Sequence, residues 1–103
     1  MVHLISAAEE FDSTIAGPQL TVVDFYATWC GPCKAIAPKV TQFSNTYADA
    51  KFVKIDVDEL SEVAAKYNIR AMPTFLLFKN GEKVGEVVGA SAPNLEKAIK
   101  ENL

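Results

Sequence analysis

This sequence predicts an α/β fold whose central mixed β-sheet combines a parallel βαβ unit with a later antiparallel hairpin. Three observations carry that expectation. Residues 20–27 (LTVVDFYA) form a nearly unbroken run of apolar and β-branched side chains, the pattern of a strand buried on both faces, as in parallel sheets. A long helical stretch and an alternating strand follow. Strand, helix, strand over this length implies a right-handed parallel crossover. Asn80-Gly81 then separates two β-rich runs, and that dipeptide signals a type I′ hairpin.

Taken in order, Val2, Leu4 and Ile5 suggest a short first strand. Ser6-Ala7-Ala8-Glu9 reads as a capping box, with Ser6 at the N-cap and Glu9 at N3. Ala8, Phe11 and Ile15 share one face of the helix it opens, and Gly17-Pro18 stops that helix. The run at 20–27 comes next, interrupted by one acid, Asp24. A second helix follows the cysteines, with Ile36, Val40, Phe43 and Tyr47 on its inner face. Pro38 falls inside it and should kink it. Val53, Ile55 and Val57 alternate with Lys54 and Asp56, which marks another strand. Leu60, Val63, Ala64 and Tyr67 mark a third helix, stopped by Asn68. Residues 74–78 form a strong strand, and Val84, Val87 and Val88 return antiparallel beyond the turn. Leu95, Ala98 and Ile99 belong to a final amphipathic helix entered through Pro93. Helices on both faces of one sheet follow.

At 103 residues the chain has room for one domain, residues 1–103, and for a core that needs no staples. Lys and Arg number 10 against 13 Asp and Glu, a net charge of −3. That argues against nucleic acid, which favours a basic face. No apolar run approaches the roughly 18 residues of a membrane span. Residues 1–5 are too short for a signal core, and Glu9, Glu10 and Asp12 follow at once, which transit peptides avoid. The expected location is cytoplasmic, with the nucleus as a second compartment.

The two cysteines, Cys30 and Cys33, are separated by two residues. A bond between them closes almost no loop and adds little stability, so the reason for the pair is chemical. Trp29-Cys30-Gly31-Pro32-Cys33-Lys34 stands where the buried strand ends and the long helix begins, at the carboxyl end of a strand, where open α/β sheets place their sites. Pro32 suits the helix start, where a missing N–H costs nothing. Cys30 would sit at or just before the first turn, where unpaired N–H groups and the helix dipole favour a thiolate. Cys33 would lie one turn on, behind it and more buried. Cys30 is then the attacking thiolate and Cys33 the resolving thiol that displaces the reduced partner. A structural zinc site needs about four N/S ligands, and only His3 stands beside the two cysteines as a candidate, so no metal site is expected. Haem attachment wants His after the second cysteine, where Lys34 stands. An inert buried pair does not suit glycine and proline between strand and helix.

These residues resemble the thioredoxin family over essentially the whole chain. The resemblance rests on Val23-Asp24-Phe25-Tyr26-Ala27-Thr28-Trp29-Cys30-Gly31-Pro32-Cys33-Lys34, then Pro38, Ala71-Met72-Pro73-Thr74, Lys79-Asn80-Gly81 and Val88-Gly89-Ala90. The wording is most similar to the small cytosolic members of fungi and other eukaryotes. It implies a thioredoxin fold flanked by four helices, and a dithiol–disulfide oxidoreductase that serves as an electron carrier in redox homeostasis. It further implies a Cys30–Cys33 disulfide, re-reduced by the flavoenzyme thioredoxin reductase with NADPH and no cofactor bound to this chain. The implied clients are peroxiredoxins, methionine sulfoxide reductases and ribonucleotide reductase. Gly31 and Pro32 tune the pair toward reduction, where disulfide isomerase domains usually have Gly-His.

The supporting residues leave alternatives open. Asp24 is either a structural carboxylate, bonded to backbone or paired with Lys54, or a desolvated carboxyl with a raised pKa that accepts the Cys33 proton. Lys54 is either the exposed half of an alternating strand or an ion pair that modulates Asp24. Trp29 is either core or a border of the site that meets clients. Pro73 is either a turn proline or, as the resemblance implies, the cis residue facing the cysteines. A cis bond there would expose the Met72 backbone to an extended client by β-augmentation, which reads backbone more than side chains. Gly89 and Ala90 would admit that peptide, or simply form a loop. His3 reads as a surface histidine, and Asp56, Asp58 and Glu59 as a solvated start of the third helix. Two further functions compete with a general protein-disulfide reductase. One is a non-catalytic binding or chaperone subunit using the same face, the other a disulfide oxidase or isomerase.

Overall fold

The computed structural model describes residues 1–103. Nine elements follow in chain order: β1 (His3–Leu4), α1 (Ala8–Ile15), β2 (Thr21–Tyr26), α2 (Gly31–Thr46), β3 (Lys51–Asp56), α3 (Ser61–Lys66), β4 (Thr74–Lys79), β5 (Glu82–Val88) and α4 (Ala92–Asn102). The five strands form one sheet in the order β1-β3-β2-β4-β5. β1 and β2 run parallel to β3, while β4 is antiparallel to both β2 and β5. The sheet is therefore the expected one, a parallel βαβ unit joined to a hairpin. Asn80 and Gly81 both have positive φ, 53° and 80°, as a type I′ turn requires. Asn68, at φ 56°, ends the turn after α3.

Side-chain alternation across the sheet divides the core in two. Val22, Phe52, Phe75 and Leu77 face α2 and α4, meeting Ile36, Val40, Leu95 and Ile99. Val23, Phe25, Ile55 and Leu76 face the other way, toward Phe11 and Ile15 of α1 and Val63 of α3. β2 is buried along nearly its whole length because both its neighbours and both its faces are occupied. The sheet edges are blunted. β1 is two residues long, and β5 carries the Lys83–Glu86 ion pair at 2.9 Å, both of which discourage edge pairing.

One sequence expectation fails locally. The N-cap of α1 is Ala7, and no side chain caps it. Ser6 is not the cap, and Glu9 is not the residue that folds back. Glu10 stands three residues after the cap and accepts from the Ser6 N–H at 3.0 Å. The cause is long-range. The Ile5 N–H donates to the Lys54 carbonyl at 2.9 Å, so pairing with β3 keeps the chain extended through Ile5 and the helix starts one residue later. Pro38 lies inside α2, and α4 is capped by Ser91, whose hydroxyl accepts from the Asn94 N–H.

The topology collects several loops at one end of the sheet. The carboxyl ends of β2, β3 and β5 and the start of β4 all lie there, since the parallel and antiparallel strands run in opposite senses. Residues 27–33, 57–60, 71–73 and 89–91 follow or precede those ends, so both cysteines, Pro73 and Gly89 are brought to one edge of the molecule.

Candidate active site

Cys30 is the N-cap residue of α2, with extended backbone (φ −89°, ψ 111°). Its sulfur accepts a hydrogen bond from the Cys33 N–H at 3.1 Å. That donor is one of the orphan amides of the first turn, and a sulfur there also meets the positive end of the helix dipole. Pro32 occupies the first turn, where it removes a donor that no carbonyl needed. Gly31 and Pro32 are both exposed. The two cysteines are joined in a disulfide with their Cα atoms 5.3 Å apart.

The expected difference in depth is absent. Cys30 is 5% exposed and Cys33 6%, because the bond between them holds both sulfurs at one level, packed with Ala27 and against Met72 and Tyr26. What separates the two is their surroundings. The Cys30 sulfur lies 3.5 Å from the Met72 carbonyl oxygen. Cys33 instead lines a cavity of about 310 Å³ that it shares with Asp24, Tyr26, Ala27, Lys34 and Lys54.

Asp24 is 8% exposed, and its Oδ1 has no hydrogen-bond partner. Loss of water raises its pKa from 3.8 to about 7, against the opposing pull of Lys54. A purely structural carboxylate would have its oxygens satisfied. Nor is there an ion pair with Lys54, since the only pairs within 4 Å are His3–Glu10 and Lys83–Glu86. Asp24 and Lys54 are nearest neighbours across β2 and β3, yet the Lys54 ammonium stands over the Tyr26 ring, 5.6 Å from its centroid. A carboxyl in this state can take or release a proton near neutral pH.

Met72–Pro73 is a cis peptide. Pro73 is buried, and its carbonyl accepts from the Gly89 N–H at 2.8 Å. Gly89 has φ +98°, a conformation that glycine adopts at little cost. The loop before α4 and the Met72–Pro73 turn are thereby tied together, with Ala90 exposed beside them. Trp29 is 67% exposed, which removes it from the core. Its indole N–H donates to Asp58 Oδ2 at 3.0 Å, and the Asp58 N–H donates in turn to Asp56 Oδ1 at 2.9 Å. Asp58 is thus tied to the residue before Cys30 and is more than part of a solvated helix start. Sequence spacing of 29 residues gave no sign of that contact. Tyr26 was also missed as a site residue, although its position two residues after Asp24 puts both on one face of β2. His3 lies away from this edge, bonded to Glu10, whose carboxyl that bond and the Ser6 N–H hold below its usual range.

No group of three or more His, Cys, Asp or Glu side chains is placed to hold a metal ion, and no helix is long and apolar enough to cross a membrane. A disulfide seated on a helix start, backed by a carboxyl poised near neutrality, defines a dithiol–disulfide oxidoreductase.

The chain matches the thioredoxin family model over residues 2–101. It is 60% identical to Thioredoxin-1 of Schizosaccharomyces pombe over 103 residues, covering 100% of each chain. The thioredoxin of Malassezia sympodialis superposes with a TM-score of 0.94 at 45% identity, covering 98% of this chain and 92% of that one. A third similar chain comes from a structure describing the thiol resolving mechanism in yeast mitochondrial 1-Cys peroxiredoxin via glutathione/thioredoxin systems. Its TM-score is 0.92 at 42% identity, covering 97% of this chain and 94% of that one. The chain belongs to the thioredoxin family. Its five-stranded mixed sheet and four helices are the thioredoxin fold, and its activity is the reduction of disulfides.

Proposed function

We propose that residues 1–103 act as one domain and as a general protein-disulfide reductase in which Cys30 attacks, Cys33 resolves and Asp24 moves the proton. The observation that carries this reading is the Cys30 sulfur at the N-cap of α2, accepting the Cys33 N–H at 3.1 Å. In the dithiol form the same amide and the helix dipole stabilise a Cys30 thiolate. The thiolate attacks one sulfur of a client disulfide, forming a mixed disulfide and expelling the other client sulfur as a thiolate. Cys33 then gives its proton to Asp24 across the shared cavity and attacks the Cys30 sulfur. The Cys30–Cys33 disulfide forms, and the second client thiolate leaves. Two electrons have passed to the client. Asp24, with a pKa of about 7, returns its proton to solvent. Holding Cys33 one turn from Cys30 makes the second attack intramolecular, with effective molarities on the order of 10⁵ M or more.

Client choice rests on the Met72 backbone, to which an extended peptide adds as a strand. Trp29, Pro73, Gly89 and Ala90 border that peptide. Gly31 and Pro32 tune the couple, and Lys54 modulates Asp24. The electron donor is thioredoxin reductase using NADPH, and the similarity to a chain from the 1-Cys peroxiredoxin study supports peroxiredoxins among the clients. Methionine sulfoxide reductases and ribonucleotide reductase are further clients, and the cytoplasm, a compartment that keeps thiols reduced, is the working location.

The test is NADPH consumption with thioredoxin reductase and insulin as disulfide acceptor. Wild type should turn over, and Cys30→Ser should abolish all turnover. Undiminished insulin reduction by Cys30→Ser would refute the assignment. Tight client binding by wild type without turnover would favour a chaperone subunit.

A further inference from the structure

Asp24, Tyr26, Lys54 and Asp56 occupy one face of the paired strands β2 and β3, since alternate residues share a face and Asp24 is in register with Lys54, Tyr26 with Asp56. On that face Lys54 has two places to put its charge. One is the Asp24 carboxyl, its neighbour across the strands, whose Oδ1 has no partner. The other is the Tyr26 ring. The structure has the second, with Nζ 5.6 Å from the ring centroid and no ion pair to Asp24 within 4 Å. An ammonium over an aromatic face at this range is attracted by the ring quadrupole.

We propose that Tyr26 is a positioning residue of this site, its ring holding the Lys54 ammonium off the Asp24 carboxyl so that the proton acceptor of the resolving step has no direct ionic partner. The proposal rests on the reading of Asp24 given above and adds to it the residue that governs its surroundings. Other charges also face this group. Lys34 of α2 lines the same cavity. Asp56 at the end of β3 and Glu59 beyond it act on the Tyr26 hydroxyl, and together with burial, the larger cause, and Asp24 they keep the phenol from ionising in the ordinary range. The ring therefore stays neutral and available to the cation at physiological pH. Without it, Lys54 would be free to close on Asp24, and an opposite charge within about 4–6 Å lowers a carboxyl pKa by roughly 1–3 units.

The experiment is a carbon-13 carboxyl NMR titration of Asp24 in the disulfide form, where neither cysteine exchanges a proton. It compares wild type, Tyr26→Phe, Tyr26→Leu, Lys54→Met and the double variant Tyr26→Leu/Lys54→Met. Tyr26→Phe, which keeps the ring, should leave the midpoint near that of wild type. Tyr26→Leu should lower it by about one pH unit or more, and should change it little in the Lys54→Met background, because the two residues act through each other. An equal fall in both backgrounds would mean that the ring acts only by excluding water, and would overturn the proposal. So would an unchanged midpoint in Tyr26→Leu, or a fall in Tyr26→Phe as large as that in Tyr26→Leu. Should the leucine variant not fold, the wild-type proton spectrum decides. The Lys54 ε-methylene protons should be shifted upfield by the Tyr26 ring current, and an ordinary shift would overturn the proposal. These readouts are independent of turnover. An Asp24→Asn variant that reduces insulin at the wild-type rate would sink the role of Asp24, while the titration would still show whether Tyr26 positions Lys54.

Discussion

Replacing Asp24 by asparagine exchanges a buried, desolvated carboxyl for a neutral group of nearly the same shape, and stability should respond in a pH-dependent way. Burial raises the carboxyl from 3.8 to about 7. Below pH 3.8 the folded and unfolded chains both carry it protonated, and it imposes no electrostatic cost. Between pH 3.8 and 7 the unfolded chain ionises while the folded chain holds its proton, so stability falls as pH rises. Above pH 7 both are ionised, and the full cost remains. For a displacement of this size that cost is roughly 4 kcal/mol, a large part of the stability of a small domain. Asp24→Asn removes it. Urea or guanidinium unfolding of the disulfide form at pH 4, 5, 6, 7 and 8 measures the effect. The advantage of the variant over wild type should be small at pH 4, grow by about 1.4 kcal/mol per pH unit through the middle of the range, and level off above pH 7. The denaturant dependence of the two proteins should match, since they expose the same surface. A stability difference that stays constant from pH 4 to pH 8 would show that Asp24 titrates alike in both states, and would refute the desolvation argument. The same variant should reduce insulin more slowly than wild type despite being more stable at neutral pH.

Two other substitutions test separate parts of the structure. Cys33→Ser, lacking the resolving sulfur, should accumulate a Cys30 mixed disulfide with insulin or a peroxiredoxin. This is readable as a dithiothreitol-sensitive mass shift, and its absence would count against Cys33 as the resolving residue. Phe11→Ala should cost about 3–5 kcal/mol by chemical denaturation, because Phe11 is 1% exposed and packs edge-on against Tyr67 and Phe78; a loss below about 1 kcal/mol would mean that α1 repacks freely.

How much of this was legible in the sequence depended on the range of the contacts involved. β2 was legible because its residues are buried by every neighbour, so nearly every position is apolar. The Asn80-Gly81 turn was legible because positive φ at both residues restricts their identity. Cys30, Pro32 and Cys33 were legible because a helix start imposes local rules on its first turn. The start of α1 was misread by one residue because pairing with β3, some fifty residues away, holds Ile5 extended. Trp29 could not be matched with Asp58 for a similar reason: only the fold brings the loops after β2 and β3 together. The place of Lys54 was hidden because strand alternation only sorts residues in or out, whereas Lys54 is half-buried, makes no ion pair with Asp24 and lies over Tyr26. The equal depth of the cysteines was invisible because covalent pairing constrains both sulfurs, while helix geometry alone orders them.

The role of Cys30 depends on its sulfur being stabilised as an anion by the amide of Cys33 and the open end of α2. The most direct measurement is the pH dependence of iodoacetamide alkylation at Cys30 in the reduced protein, followed by mass spectrometry. We expect Cys30 to react first and with a midpoint well below the roughly 8.5 of a free thiol. A midpoint at or above that value, or equal reactivity of Cys30 and Cys33, would contradict the assignment of Cys30 as the attacking thiolate.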